Sequence, residues 1–125
     1  MADSRYEFHL SGEVSPKKNE NRFNRTTGRV FKSDRFRSWH INAMYQLLTQ
    51  KKPVKPISSP VCVKVVFTHG DNRRRDGDNG LSAIMDLLVD SNVLADDCWK
   101  IVKEISVKNE IESGNPHTHI LVEEE

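Results

Sequence analysis

The sequence predicts a mixed α/β (α+β) fold, one sheet with two helices packed on it. Three features carry that reading: strict alternation near the N-terminus, a nearly continuous β-branched run at mid-chain, and two stretches with apolar residues at helical spacing. A chain of 125 residues fits one domain, so the expectation is a single unit over residues 1–125.

Tyr6, Phe8 and Leu10 alternate with Glu7 and His9, the pattern of a half-buried strand. A polar stretch follows, with a basic loop over residues 15–32 in which Thr27 and Gly28 could turn a ribbon. Ser33 reads as an N-cap with Asp34 in the first turn. Phe36, Trp39, Ala43 and Leu47 then share one face of a helix that closes at Lys51, Lys52 and Pro53. Residues 53–60 form a proline-rich connector. Residues 61–68 are rich in valine and nearly free of alternation, as in a strand central to a sheet. Residues 69–80 make a very polar loop. Leu81, Ile84, Met85 and Leu88 mark a second amphipathic helix that ends near Asp90, Ser91 and Asn92. Residues 101–107 and 119–122 read as two further strands, and 123–125 as a solvated acidic tail.

Charge is balanced, 19 basic against 18 acidic side chains, so only its distribution can point to a nucleic-acid partner. No apolar run approaches the roughly 18 residues of a membrane helix, and the first residues lack the apolar core of a signal peptide. The two cysteines, Cys62 and Cys98, form no CxxC pair. These features lead us to expect a soluble protein of a reducing cytoplasm, with no membrane partner and both thiols free. Cys62, inside a strand, is expected to be an inert buried thiol.

The informative segment is Asp71-Asn72-Arg73-Arg74-Arg75-Asp76-Gly77-Asp78-Asn79, between the central strand and the second helix. In an extended backbone alternate side chains share a side, so Asp76 and Asp78 can converge on one point. Carboxylate oxygens are the ligands Mg²⁺ prefers, and arginines suit phosphate. The same segment is also good turn and cap chemistry, with Asp78 capping a helix that begins near Asn79. It is no EF-hand: counted from Asp76, position 6 is Leu81 and position 12 is Leu87. A second acid pair, Asp96-Asp97, follows the helix, and a next strand lying beside the central one could bring it back to the first pair. Between Lys17 and Lys32 stand six basic residues, Lys17, Lys18, Arg22, Arg25, Arg29 and Lys32, against one acid, Glu20. Such a loop suits DNA backbone contact.

Arg73 to Asn79, a helix carrying Ala83 and Asp86, and Leu94-Ala95-Asp96-Asp97 together resemble the signature of the RusA family of Holliday-junction resolvases. Pro16, Lys17, Lys18, Asn19, Gly28 and Arg29 extend the resemblance, which covers about residues 5–122. It implies a RusA-like fold and a Mg²⁺-dependent endodeoxyribonuclease, with Mn²⁺ as a substitute ion. The enzyme would be a homodimer that cuts four-way DNA junctions symmetrically in recombination and repair, often of phage or prophage origin. It also implies that Asp76, Asp78 and Asp97 are the catalytic and metal-binding acids. Where the family's type member has a catalytic lysine, this chain has Ser82. Lys100, Lys103, Lys108 or one of Arg73, Arg74 and Arg75 could take its place. Two alternatives stand beside this reading: a branched-DNA-binding protein of the same fold with little or no cleavage, and a metal-dependent nuclease without junction preference.

His117 and His119, two apart on a strand, could chelate a metal but are expected to be exposed strand residues. Phe36 and Trp39 are expected in the core; Trp99, close after Asp97, could pack near the site or at a dimer interface, with the core as the first expectation.

Overall fold

The computed structural model describes residues 4–15, 21–24, 29–32, 34–75 and 80–125. Six strands and two helices follow one another as β1 (Arg5–Ser11), β2 (Asn21–Asn24), β3 (Arg29–Lys32), α1 (Asp34–Leu48), β4 (Val61–His69), α2 (Leu81–Asp90), β5 (Val102–Ile111) and β6 (His117–Glu124). β1, β6, β4 and β5 form a mixed sheet in that order, and β2 and β3 form a separate two-stranded antiparallel ribbon. β6 runs antiparallel to both neighbours, whereas β4 and β5 run parallel.

The valines of β4 explain its central place. Val61, Val63, Val65 and Phe67 are buried on one face with Phe8 and Leu10 of β1 and Ile120 and Val122 of β6. Both helices cover that face: Ala43 and Leu47 of α1 and Ile84, Met85, Leu87 and Leu88 of α2 join the same core. Phe36 is fully buried and Trp39 packs at the margin of the core, as their spacing predicts.

The second helix starts and stops for local reasons. Its N-cap is Gly80, which makes no side-chain cap bond, so α2 begins at Leu81 without the aspartate cap that the sequence allowed. A Cβ on Gly80 would come within 3.0 Å of Val14 and Phe67, which explains the glycine. At the other end Asn92 takes φ 61°. The Asn92 N–H donates to the Val89 carbonyl and the Val93 N–H to the Leu88 carbonyl, the paired bonds of a Schellman stop.

Several boundaries differ from the sequence reading. β5 runs to Ile111 and β6 spans His117–Glu124, so Glu123 and Glu124 are strand residues rather than tail. Backbone pairing with β4 and the Glu124 N–H bond to the Ser4 carbonyl recruit them. Cys62 is half-buried, because it lies on the sheet face that carries no helix. Trp99, expected in the core, is 72% exposed in the turn before β5. Thr27 and Gly28 lie outside the described residues, but the strands on either side of them do form a ribbon.

His119 on the open face stands opposite His9, with ring centroids 4.7 Å apart. Burial, then the charge of His9, lowers its pKa below the ordinary 6.5. The unfolded chain therefore binds this proton more readily than the native one. Stability is full above pH 6.5 and falls as the pH drops below it. Urea unfolding between pH 7.5 and 5 should show that loss, and His119→Gln should flatten it.

Candidate functional site

The two ends of β4 carry the residues of interest. At its C-terminal end a polar network shapes the exit into the arginine-rich loop. His69 Nδ1 lies 3.0 Å from Glu13 Oε2, and its Nε2 lies 2.9 Å from Asn109 Oδ1. The Gly70 N–H donates to Glu13 Oε1 at 3.1 Å. Arg75 Nη2 joins Glu13 Oε1 at 3.2 Å and Asp71 Oδ1 at 3.0 Å. The Arg73 N–H also donates to Asp71 Oδ1 at 3.0 Å, an Asx turn. That backbone donor, helped by the Arg75 guanidinium and opposed by desolvation, holds the Asp71 carboxyl below its usual range. Glu13 and His69 belong to no sequence motif. Their role comes from β1 and β4 ending at the same side of the sheet.

The three arginines divide. Arg75 is 23% exposed and engaged by two carboxylates, so its charge folds the loop. Arg73, 78% exposed, and Arg74 face solvent. Ser82 is exposed in the first turn of α2.

At the N-terminal end of β4 sits the second acid pair. Leu94 bridges Ile57, and the Ala95 N–H donates to the Ile57 carbonyl. Asp96 and Asp97 are exposed, and Asp96 Oδ1 accepts the Asp97 N–H at 2.7 Å. The Cys98 carbonyl accepts the Ile101 and Val102 N–H groups and turns the chain into β5. Lys100 and Lys103 are exposed nearby, with Lys103 Nζ 4.7 Å from the Trp99 ring centroid. Lys108, further along β5, pairs with Glu110 at 3.0 Å.

Asp76, Asp78, Lys17, Lys18 and Arg25 lie outside the described residues. Arg22 belongs to β2, and Arg29 and Lys32 to β3. The described residues on either side of the first acid pair are fixed at one end of β4: Arg75 by Glu13, and Gly80 against Phe67 and Val14. Asp97 stands at the other end, where Val61 pairs with Val102. Val61 and Phe67 are about 20 Å apart along the strand. β5 does lie beside β4, as the sequence suggested. Because it runs parallel, it starts at the far end and does not return Asp97 to the arginine loop. Asp97 and the described arginines of the loop thus stand at opposite ends of β4.

Two other groups of described residues could hold a divalent cation, each with ligand atoms within 4.8 Å of one another. One is His40, Asp86 and Asp90, between α1 and α2, where His40 Nε2 is 2.9 Å from Asp90 Oδ2. The other is Glu7, His9 and His119 across β1 and β6. His117 stands apart, with Nδ1 2.8 Å from the Asn115 carbonyl oxygen.

The architecture is that of a small α+β domain with an arginine-bearing loop at one end of its central strand. Comparison with known proteins sharpens this. The family model described as Endodeoxyribonuclease RusA matches residues 12–123. A crossover junction endodeoxyribonuclease RusA from Aquifex aeolicus (strain VF5) is 30% identical over 109 residues, covering 86% of this chain and 82% of the relative. The chain belongs to the RusA endodeoxyribonuclease family, and its general function is that of a RusA-type nuclease.

Removing Glu13 leaves Arg75 and the Gly70 N–H short of a partner. Glu13→Ala should cost about 1–3 kcal/mol in urea unfolding, whereas Arg73→Ala, at an exposed site, should stay within about 0.5 kcal/mol.

Proposed function

We propose that this chain is a Mg²⁺-dependent endonuclease that resolves four-way DNA junctions by paired, symmetric phosphodiester cuts, with Mn²⁺ as a substitute ion. The observation that carries the reading is the acid and arginine pattern, Arg73 to Asn79 with Asp96-Asp97, lying inside a family match that runs over residues 12–123. The relative from Aquifex aeolicus is named for crossover junctions, and we extend that substrate to this chain.

Asp76, Asp78 and Asp97 are the catalytic and metal-binding acids in this reading. Carboxylate oxygens suit a hard divalent ion, which when bound lowers the pKa of water and neutralises phosphate charge. Arg73 and Arg74, facing solvent, hold backbone phosphates. Lys17, Lys18, Arg22, Arg25, Arg29 and Lys32 orient the duplex arms through the same chemistry, and binding weakens steeply with salt. Two matched nicks call for two active sites, which a two-fold dimer supplies.

A second reading rests on Ser82. An uncharged side chain at the family's lysine position favours a protein that holds branched DNA with little cutting. The test is a labelled four-way junction with Mg²⁺, run beside linear duplex. Paired symmetric nicks on the junction alone are expected, and Asp78→Asn should abolish them while leaving binding intact. Cutting that survives Asp78→Asn overturns the assignment of the acids, equal cutting of duplex overturns junction preference, and tight binding without nicks establishes the second reading.

A further inference from the structure

The sheet face that carries no helix holds a group of side chains that the nuclease reading leaves unused. The sequence offers His117 and His119 as a chelating pair, but the structure separates them. Two residues apart on one strand, they stand about 7 Å from each other. His117 Nδ1 is also held 2.8 Å from the Asn115 carbonyl oxygen. His119 has a different companion. His9 of β1 is its direct cross-strand partner, and the two ring centroids lie 4.7 Å apart.

The backbone fixes where both rings start. Directly opposed residues of antiparallel strands project to the same face, with Cα atoms about 5 Å apart. β6 is paired on both sides, by β1 and β4, so His119 stands in the interior of the sheet. β1 is an edge, yet α1 holds its outer side at this same residue. The His9 N–H donates to Gln50 Oε1 at 2.8 Å, and the His9 carbonyl accepts Gln50 Nε2 at 2.7 Å. Glu7, two residues back along β1, comes to the same face. One ligand atom from each of Glu7, His9 and His119 lies within 4.8 Å of the other two. Val66 stands opposite His119 on β4, and the buried Leu121 stands opposite Glu7, so apolar side chains flank the group.

The three donors are available. Among the described residues, the ring nitrogens of His9 and His119 have no hydrogen-bond partner. Glu7 Oε1 lies 3.0 Å from Arg5, an exposed pair of little energetic weight that leaves the second oxygen for a ligand. Two imidazoles and a carboxylate suit Zn²⁺, whereas Mg²⁺ takes oxygen ligands. Three protein donors leave a fourth tetrahedral position for water. The group between the helices is a poorer match. It offers one imidazole, His40, whose Nε2 already lies 2.9 Å from Asp90 Oδ2. We propose that Glu7, His9 and His119 form a Zn²⁺ site that fastens the edge strand β1 to β6. The site is separate from the acids assigned above, and it stands or falls independently of the nuclease reading. An ion that binds only the folded sheet stabilises it by mass action.

The test uses the full chain without a polyhistidine tag, in excess Mg²⁺ so that oxygen-only sites are filled. Titration with Zn²⁺ against a chromophoric chelator should show uptake by the wild-type chain. Loss of even an outer-shell partner weakens metal sites by about 10–100-fold, so His9→Gln and His119→Gln should each weaken uptake by at least about tenfold. Circular dichroism checks that both variants fold. His40→Gln should leave the affinity unchanged. Zn²⁺ should raise the melting temperature of the wild type and leave that of the His9 and His119 variants where it was. X-ray absorption of the Zn²⁺-loaded wild type needs no variant and should count two imidazoles on the ion. No uptake, uptake that survives both substitutions, uptake lost with His40→Gln, or fewer than two imidazoles on the ion overturns the proposal.

Discussion

Adjacent parallel strands cannot be joined by a hairpin, so the chain must travel back the length of the sheet before the second strand begins. Between β4 and β5 that return is α2, which packs Ile84, Leu87 and Leu88 onto the valines of β4. The crossover has a geometric price. Whatever precedes α2 lies at one end of the sheet, and whatever follows it lies at the other. Glu13, His69 and Arg75 gather at the first end, and Asp96 and Asp97 at the second. The Schellman stop at Asn92 and the bridge from Leu94 to Ile57 then hold that second end in place.

The arginine loop shows how charge can serve structure and ligand in one segment. Arg75 lies between Glu13 and Asp71, where its guanidinium donates to both carboxylates at short range. Asp71 also caps the Arg73 N–H, so one carboxylate organises both neighbours. Arg73 and Arg74 are left pointing outward. A run of three arginines in sequence is thus one half-buried structural cation, Arg75, and two exposed ones, of which Arg73 also lies 3.6 Å from Asp71 Oδ2. The balanced net charge of the chain conceals this, because the carboxylates that offset the arginines include those that fold their loop.

Much of the fold was legible in the sequence. Elements with strong periodicity, β1, β4 and α2, emerge within one or two residues of where their spacing places them. The α1 face of Phe36, Ala43 and Leu47 is buried as its 3.6 period requires. What the pattern hid has physical causes. Glu123 and Glu124 look like a tail because nothing local marks them, yet β4 and Ser4 recruit their backbone. Trp99 looks like core because of its size, but it sits in the turn beside an open edge. β5 is exposed along most of its length, so no alternation announces its ten residues. The acid and arginine motif was legible as chemistry. Its division between the two ends of the sheet was not, because spacing along a chain does not record whether the next strand runs parallel or antiparallel.

The same division bears on the missing lysine. Ser82 sits at the start of α2, on the arginine-loop end, and offers a hydroxyl rather than a charge. Lys100 and Lys103 lie in the turn and strand that follow Asp97, with Lys103 held against the exposed Trp99 ring. The length of β4 lies between that turn and the start of α2, because β5 begins beside Val61. Asp97 and these neighbouring cations thus share one turn, whose shape is set by the Cys98 carbonyl. Lys108 is different: it lies within β5, where its ammonium is engaged by Glu110 at 3.0 Å rather than presented at either end of the sheet.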